Sequence, residues 1–304
     1  MVPGPTAPAR AGLKVNYLRP PSKLRTLLIL GRVSNLPTVW SNVLAGWWLG
    51  GGGPWRQCAG AGLGLSLLYV GGMFLNDAFD AGFDRQNRRT RPIPSGAMTE
   101  REVWRWGFGL LALGAGGLVF AGETTAILTL LLTGCILLYN AVHKLAGTAP
   151  VLMGGCRWLV YLIAASVAAG GVTGWAVWSG LALAGYVMGL SWLARKETQR
   201  GPAPAWPAVF LGAPLLLAAL VDDGPWQFSG GVMALVWLVW VIWALRNAFW
   251  RQPPMVGYAV ARLLAGIALV DLLAVADLTR PWLSPFFLAC FVLALLLQRY
   301  IPAT

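Results

Sequence analysis

The chain has 304 residues, 57% hydrophobic and only 11% charged, with 17 Trp and a mean hydropathy of +0.64. A soluble domain carries about 25% charged residues, so the composition excludes an ordinary soluble enzyme and indicates an integral membrane protein. The net charge of +12 does not require nucleic acid, because cations also hold cytoplasmic loops in place, and their positions test that.

Apolar runs of spanning length fall near 25–49, 58–80, 103–122, 124–142, 149–170, 173–194, 205–221, 228–249, 255–277 and 282–299. In lipid such runs must be helical, since no other partner exists for their backbone groups. The expected fold class is therefore an all-α membrane protein, a multi-span bundle. Residues 1–24 read as a basic, flexible cytoplasmic segment without the apolar core of a signal peptide, and 25–300 as one transmembrane domain. Cys58, Cys135, Cys156 and Cys290 give neither a CxxC pair nor a disulfide framework.

Basic residues cluster before the first run and after the second, fourth, sixth, eighth and tenth. The alternate connections hold only Arg56 and Arg280, beside Glu123, Asp222, Asp223 and Asp277. This positive-inside pattern places both termini in the cytoplasm. Almost every ionisable group then gathers at one mouth of the bundle.

At that mouth, where the second run ends, stand Asn76, Asp77, Asp80 and Asp84, followed by Arg85, Arg88, Arg89 and Arg91. The aspartate spacing i, i+3, i+7 puts three carboxylates on one helix face, with Asn76 at its edge. Like charges so placed repel unless a cation sits between them, and hard oxygens suit Mg²⁺, which shares its coordination with substrate phosphates. The arginines suit the same phosphates; topology anchoring is their other reading.

Polar groups also lie inside the membrane: Arg32 and Asn35 just within the first run, Asn42 deeper, Arg157 in the fifth, Arg262 and Asp271 in the ninth. Charges at such depths are costly unless paired or hydrated, which implies a wet cavity open to the cytoplasm. Snorkelling to the interface is the alternative for Arg32 and Arg262, and pairing with a polar group of another span is the one for Asp271. His143 reads as an interfacial residue. The tryptophans read as interface belts, with Trp40 and Trp192 as candidates for a tunnel wall.

The Asn76–Asp84 stretch, followed by Arg91-Pro-Ile-Pro-Ser-Gly96, resembles the NDxxDxxxD motif and RPIPSG loop of the UbiA superfamily of intramembrane prenyltransferases. Arg32-Val-Ser-Asn-Leu-Pro37 with Asn42 and Gly46 is similar to that family's first helix. Tyr139, Lys144 and Pro150 are similar to its junction between helices four and five. The resemblance covers roughly 25–300 and implies an all-helical bundle around a central cavity, usually of nine spans, in a bacterial-type inner membrane; with ten apolar runs the expectation is nine to ten transmembrane helices, the tenth being a departure from the family or one element split in two. It further implies transfer of a prenyl group from an isoprenyl diphosphate donor to an aromatic or lipid acceptor embedded in the bilayer, with Mg²⁺ as cofactor and no nucleic acid partner.

Carried over residue by residue, Asp77, Asp80 and Asp84 would hold the metal, and Asn76, Arg88, Arg91 and Lys144 the diphosphate. Asn35, Asn42 and Arg157 would face the acceptor, an anionic or hydroxylated aromatic, a lipid alcohol or a sugar. The family's second aspartate motif is expected near 189–201, where only Glu197 remains as a metal ligand and Arg195 and Lys196 stand where carboxylates would sit. One reading has fixed cations there replacing a second Mg²⁺ at the diphosphate, making Arg195 and Lys196 catalytic with Asp80 and Lys144. Another has them as interface anchors. The same departure leaves open a non-catalytic lipid-binding or export component. With Met153-Gly-Gly-Cys-Arg157, this ending resembles the divergent EboC-like branch. A CDP-alcohol phosphotransferase is set aside because its DGxxAR…GxxxDxxxD pattern is absent.

Overall fold

The computed structural model describes residues 22–143, 147–195, 206, 208–221, 227–250, 255–275 and 282–303. The described residues are helical without strands. In order come α1 (Lys23–Leu30), a 3₁₀ turn (Val33–Asn35), α2 (Leu36–Leu49), α3 (Trp55–Asn87), α4 (Glu100–Val119), α5 (Glu123–Val142) and α6 (Ala149–Ser166). They are followed by α7 (Gly174–Arg195), α8 (Ala208–Leu211), α9 (Ala213–Val221), α10 (Gln227–Phe249), α11 (Val256–Val275) and α12 (Leu283–Leu297). Of these, α3, α5, α6, α7 and α11 are long and apolar enough to cross a bilayer; Gly230–Arg246 and α12 are shorter apolar helices.

Two expected spans are broken. The run 25–49 is divided at Arg32, whose φ of 42° is the left-handed conformation, and Pro37 opens α2 within its first two residues. A proline ring clashes with the carbonyl four residues back, so a helix cannot run through 33 into α2 unbroken. The run 205–221 divides at Gly212, because Pro214 stands in the first turn of α9 and prevents continuation from α8 in the same way.

The second helix behaves as its sequence suggests: α3 continues without a break through the aspartates to Asn87. Helix α2 lies at the centre, packed on α3, α6, α7, α11 and α12. Without a hydrophobic drive between helices in lipid, close approach depends on small residues, and the α3–α4 pair illustrates it. A Cβ at Gly71 would stand 2.9 Å from the Gly107 carbonyl oxygen, and one at Gly114 2.7 Å from the Gly64 carbonyl oxygen.

The two ends of the bundle differ. At one, the short turns after α2 and α6 are stitched together: Ala169 N donates to Gly52 O at 2.7 Å, and Thr173 Oγ1 to Leu49 O at 2.7 Å. At the other, α3 runs on into the loop 88–98. There Ile93 is buried in a cluster with Leu30, Phe74, Ala78, Ala81 and Val103, fixing the loop against α1, α3 and α4.

Candidate functional site

The aspartate face is not solvated; it is built into a mouth. Asp77 is buried, and its Oδ1 lies 3.7 Å from Arg32 Nη2 and 3.5 Å from Arg91 Nη1. Asp80 Oδ1 is 3.1 Å from His143 Nε2, whose ring stacks on Tyr139 at 5.3 Å. Asp84 is buried as well. Asn76 accepts a hydrogen bond from Arg32 Nη2 at 3.0 Å and donates to Asn140 Oδ1 at 3.1 Å. Asn140 in turn donates to the Gly72 carbonyl, so α3 and α5 are locked where the carboxylates begin.

The cations come from four segments. Arg32 reaches in from the break after α1, with its Nε buried and without a hydrogen bond among the described residues. Arg91 comes from the 91–96 loop. Burial and then the nearby Arg32 lower its pKa, while the Asp77 and Asp84 carboxylates oppose the shift. Arg88 caps the end of α3, where its N–H donates to Asp84 O at 2.8 Å. Arg195 ends α7 with Nη1 3.5 Å from the Gly147 carbonyl. Lys144, Lys196 and Glu197 lie outside the described residues.

Below the mouth is an apolar cavity lined by residues of α2, α3, α5 and α6, among them Leu65, Met73, Ile136 and Met153; its polar lining is Tyr69, Tyr139, Asn140 and Arg157. Arg157 is 8% exposed and is held by α2: Nη1 donates to Thr38 O and, at 2.7 Å, to Asn42 Oδ1, and Nη2 to Thr38 Oγ1. Asn42 donates from Nδ2 to Asp271, a fully buried carboxylate that also receives Ser41 and Tyr161 hydroxyls. Asp271 thus finds polar partners on other spans, one of its two sequence readings.

Several expectations are redirected. Asn35 is not among the cavity-lining residues; its side chain donates to Ala303 O at 3.0 Å and anchors the end of the chain. Asn42 supports the cavity from behind Arg157 instead of lining it. Trp40 is 39% exposed and donates to Ser66, and Trp192 packs on Trp206 at 5.0 Å; neither is among the residues that line this cavity. Arg262 lies between the Trp243 and Tyr258 rings, 3.6 and 3.4 Å from their centroids. Arg32, Tyr69, His143 and Asn140 are the residues whose place the sequence did not reveal. The available signal was polarity within apolar runs at positions 139, 140 and 143, one turn of a single helix.

Hard carboxylate oxygens on one helix face suit magnesium in kind. Among the described residues, three ligating side chains do not converge on one point: Asp77 is turned to two arginines and Asp80 to His143.

The described residues thus form a helical membrane bundle with an acidic, arginine-framed mouth and an apolar cavity. The chain belongs to the UbiA prenyltransferase family, whose model matches residues 34–301. It is similar to the digeranylgeranylglyceryl phosphate synthase of Methanoregula boonei, 37% identical over 78 residues that make up 26% of this chain and 28% of that one. It is also similar to the 4-hydroxybenzoate octaprenyltransferase of Paracidovorax citrulli, 34% identical over 126 residues, 40% of this chain and 39% of the relative. The chain thus spans less than half the length of either curated relative. A solved structure from work on digeranylgeranylglyceryl phosphate synthase in membranes superposes with a TM-score of 0.60 at 18% identity, covering 83% of this chain and 97% of that one. That likeness is one of fold.

Proposed function

We propose that this protein is an Mg²⁺-dependent intramembrane prenyltransferase that takes an isoprenyl diphosphate donor and alkylates an aromatic or lipid acceptor held in the bilayer, with the donor mouth in the cytoplasm. The observation that carries the reading is the union of Arg32, Arg91 and His143 with the Asp77 and Asp80 carboxylates directly above an apolar cavity.

Asp77, Asp80 and Asp84 would hold Mg²⁺, which when bound draws off the charge that develops on the leaving diphosphate. Arg32 and Arg91 act on the same charge, because fixed cations aimed at a leaving group stabilise the transition state more than the ground state. The buried Nε of Arg32, without a hydrogen bond among the described residues, is a donor available to a diphosphate oxygen. Arg88 would add to this positive charge; Lys144 and Lys196, with Arg195 and Glu197 in place of a second aspartate set, join it by the family resemblance alone, as Lys144, Lys196 and Glu197 lie outside the described residues.

The donor's C–O bond breaks, the diphosphate leaves with the electron pair, and the allylic carbon bonds to an acceptor nucleophile that loses a proton. The apolar walls bind the chain and exclude water, which would otherwise capture the allylic cation. A second reading, a lipid-binding component without turnover, draws on the single acidic residue near 189–201.

Thermal stabilisation of the detergent-purified protein by a prenyl thiodiphosphate, which resists ionisation, tests the donor site. Stabilisation that requires Mg²⁺ is expected. Equal stabilisation in EDTA contradicts the metal role.

A further inference from the structure

Spacing along the chain pairs none of the four cysteines, but the fold brings two of them together. Cys135 of α5 and Cys156 of α6 are free thiols whose sulfurs stand 3.4 Å apart, the one thiol–thiol contact among the described residues. They lie at matching depth. Each is about two turns from the end of its helix nearest the mouth, Val142 in α5 and Ala149 in α6, or about 10 Å into the bundle. Cys156 Sγ donates to Cys135 Sγ, whose own S–H donates to the Leu152 carbonyl at 3.4 Å. Gly155 leaves the room for this: a Cβ there would already stand 3.9 Å from Cys135 Sγ, and a longer side chain would press on the sulfur.

A lone thiol in apolar surroundings packs as a small hydrophobe. Two within reach of each other form a two-electron couple, because a disulfide needs its sulfurs at about 2 Å, only about 1.4 Å closer than here. Cys156 lines the cavity together with Ile136 and Met153, so a molecule lodged there meets the couple directly. Helices α5 and α6 are both long and apolar enough to cross a bilayer. The couple is therefore approached through lipid or through a mostly apolar cavity, and both routes favour an uncharged oxidant over a charged one. A quinone meets that requirement: it is uncharged, dissolves in hydrocarbon and takes up two electrons with two protons.

We propose that Cys135 and Cys156 are a redox modification site within the membrane, oxidised to a disulfide by a lipid-soluble quinone. The two S–H bonds break and one S–S bond forms. Both electrons and both protons pass to the quinone, whose two carbonyl oxygens become the hydroxyls of a hydroquinone. The new bond ties α5 to α6 along the cavity wall, and reduction releases it. The thiols lie about two turns below His143 along α5 and include none of the groups assigned to the donor diphosphate. Their chemistry therefore stands whether or not the protein transfers a prenyl group.

The test uses the full chain in detergent, reduced and then freed of reductant, with duroquinone as the probe; its fully substituted ring offers a thiol no open carbon to add to. Thiols are counted by maleimide labelling after denaturation, and cross-links are located by peptide mass mapping. Two of the four thiols should disappear as one hydroquinone forms per molecule, the mapped link should join residues 135 and 156, and a phosphine reductant should restore all four. Oxidised glutathione, charged and water-soluble, should leave all four in place over the same time. Cys135→Ser and Cys156→Ser should each lose no thiol to duroquinone, whereas Cys58→Ser should still form the link. Should a serine variant not fold, the map of the unaltered protein decides alone. Four thiols surviving duroquinone there, or a link that joins other cysteines or two protein molecules, overturns the proposal. Equal oxidation by glutathione overturns the part given to the quinone.

Discussion

Arg32 is the one non-glycine residue with a positive φ among those described, and its side chain ties the first helix to Asn76 and Asp77. A left-handed conformation costs an L-residue about 1–2 kcal/mol, and such strain persists where the surroundings over-determine it, often at a site of function. Here Pro37, the 3₁₀ turn and the Asn35–Ala303 bond hold the break that aims Arg32 at the mouth. Substitution separates the two effects. Arg32→Ala and Arg32→Gly should both weaken thiodiphosphate binding by about 10- to 100-fold. Arg32→Gly should be more stable than Arg32→Ala by about 1 kcal/mol, the strain relieved less the entropy glycine adds, read as a higher melting temperature; equal affinity to the unaltered protein removes Arg32 from the donor site. The aspartates and Arg91 were legible in the sequence because spacing and composition set them apart. Arg32 was not, since an arginine near the end of an apolar run looks the same whether it snorkels or turns inward. His143 was missed for a similar reason: its contact with Asp80 is made between helices remote in sequence, which no periodicity within either one encodes.

At the scale of helices, the long α3 carries the site and α4 holds it by backbone contact. Gly71 and Gly114 sit where a methyl group would strike main-chain atoms at 2.9 and 2.7 Å, which no rotamer change relieves. Gly71→Ala and Gly114→Ala are expected to destabilise by about 1–3 kcal/mol, read as lower melting temperatures in detergent. Gly109→Ala and Gly117→Ala, whose added methyl groups meet nothing within 4 Å, should be neutral or slightly stabilising. Loss of stability in the controls as large as at 71 and 114 contradicts close α3–α4 packing as the cause. The helices themselves follow from hydropathy, but these contacts do not: glycines at 71, 109, 114 and 117 look alike until the partner helix is in place. The breaks after α1 and within 205–221 were written in Pro37 and Pro214, yet uniform hydropathy masked them.

For the whole molecule, charge is partitioned by end and by depth. Cations and aspartates meet at one mouth, a mostly apolar cavity runs beneath, and at its wall a single arginine is oriented through Asn42 by a buried aspartate. This division matches a substrate whose charged head ionises at the surface while its chain and its partner lie in the membrane. In the proposed function the Asp77–Asp80–Asp84 face drives ionisation of an isoprenyl diphosphate, a role that Asp80→Asn isolates. The substitution keeps the size and a hydrogen-bonding oxygen beside His143 while removing the charge. Release of diphosphate from a labelled isoprenyl donor by purified protein in Mg²⁺ should fall by at least about 100-fold, the scale on which a single stabilising group acts, with melting temperature preserved. Turnover unchanged in Asp80→Asn contradicts that role.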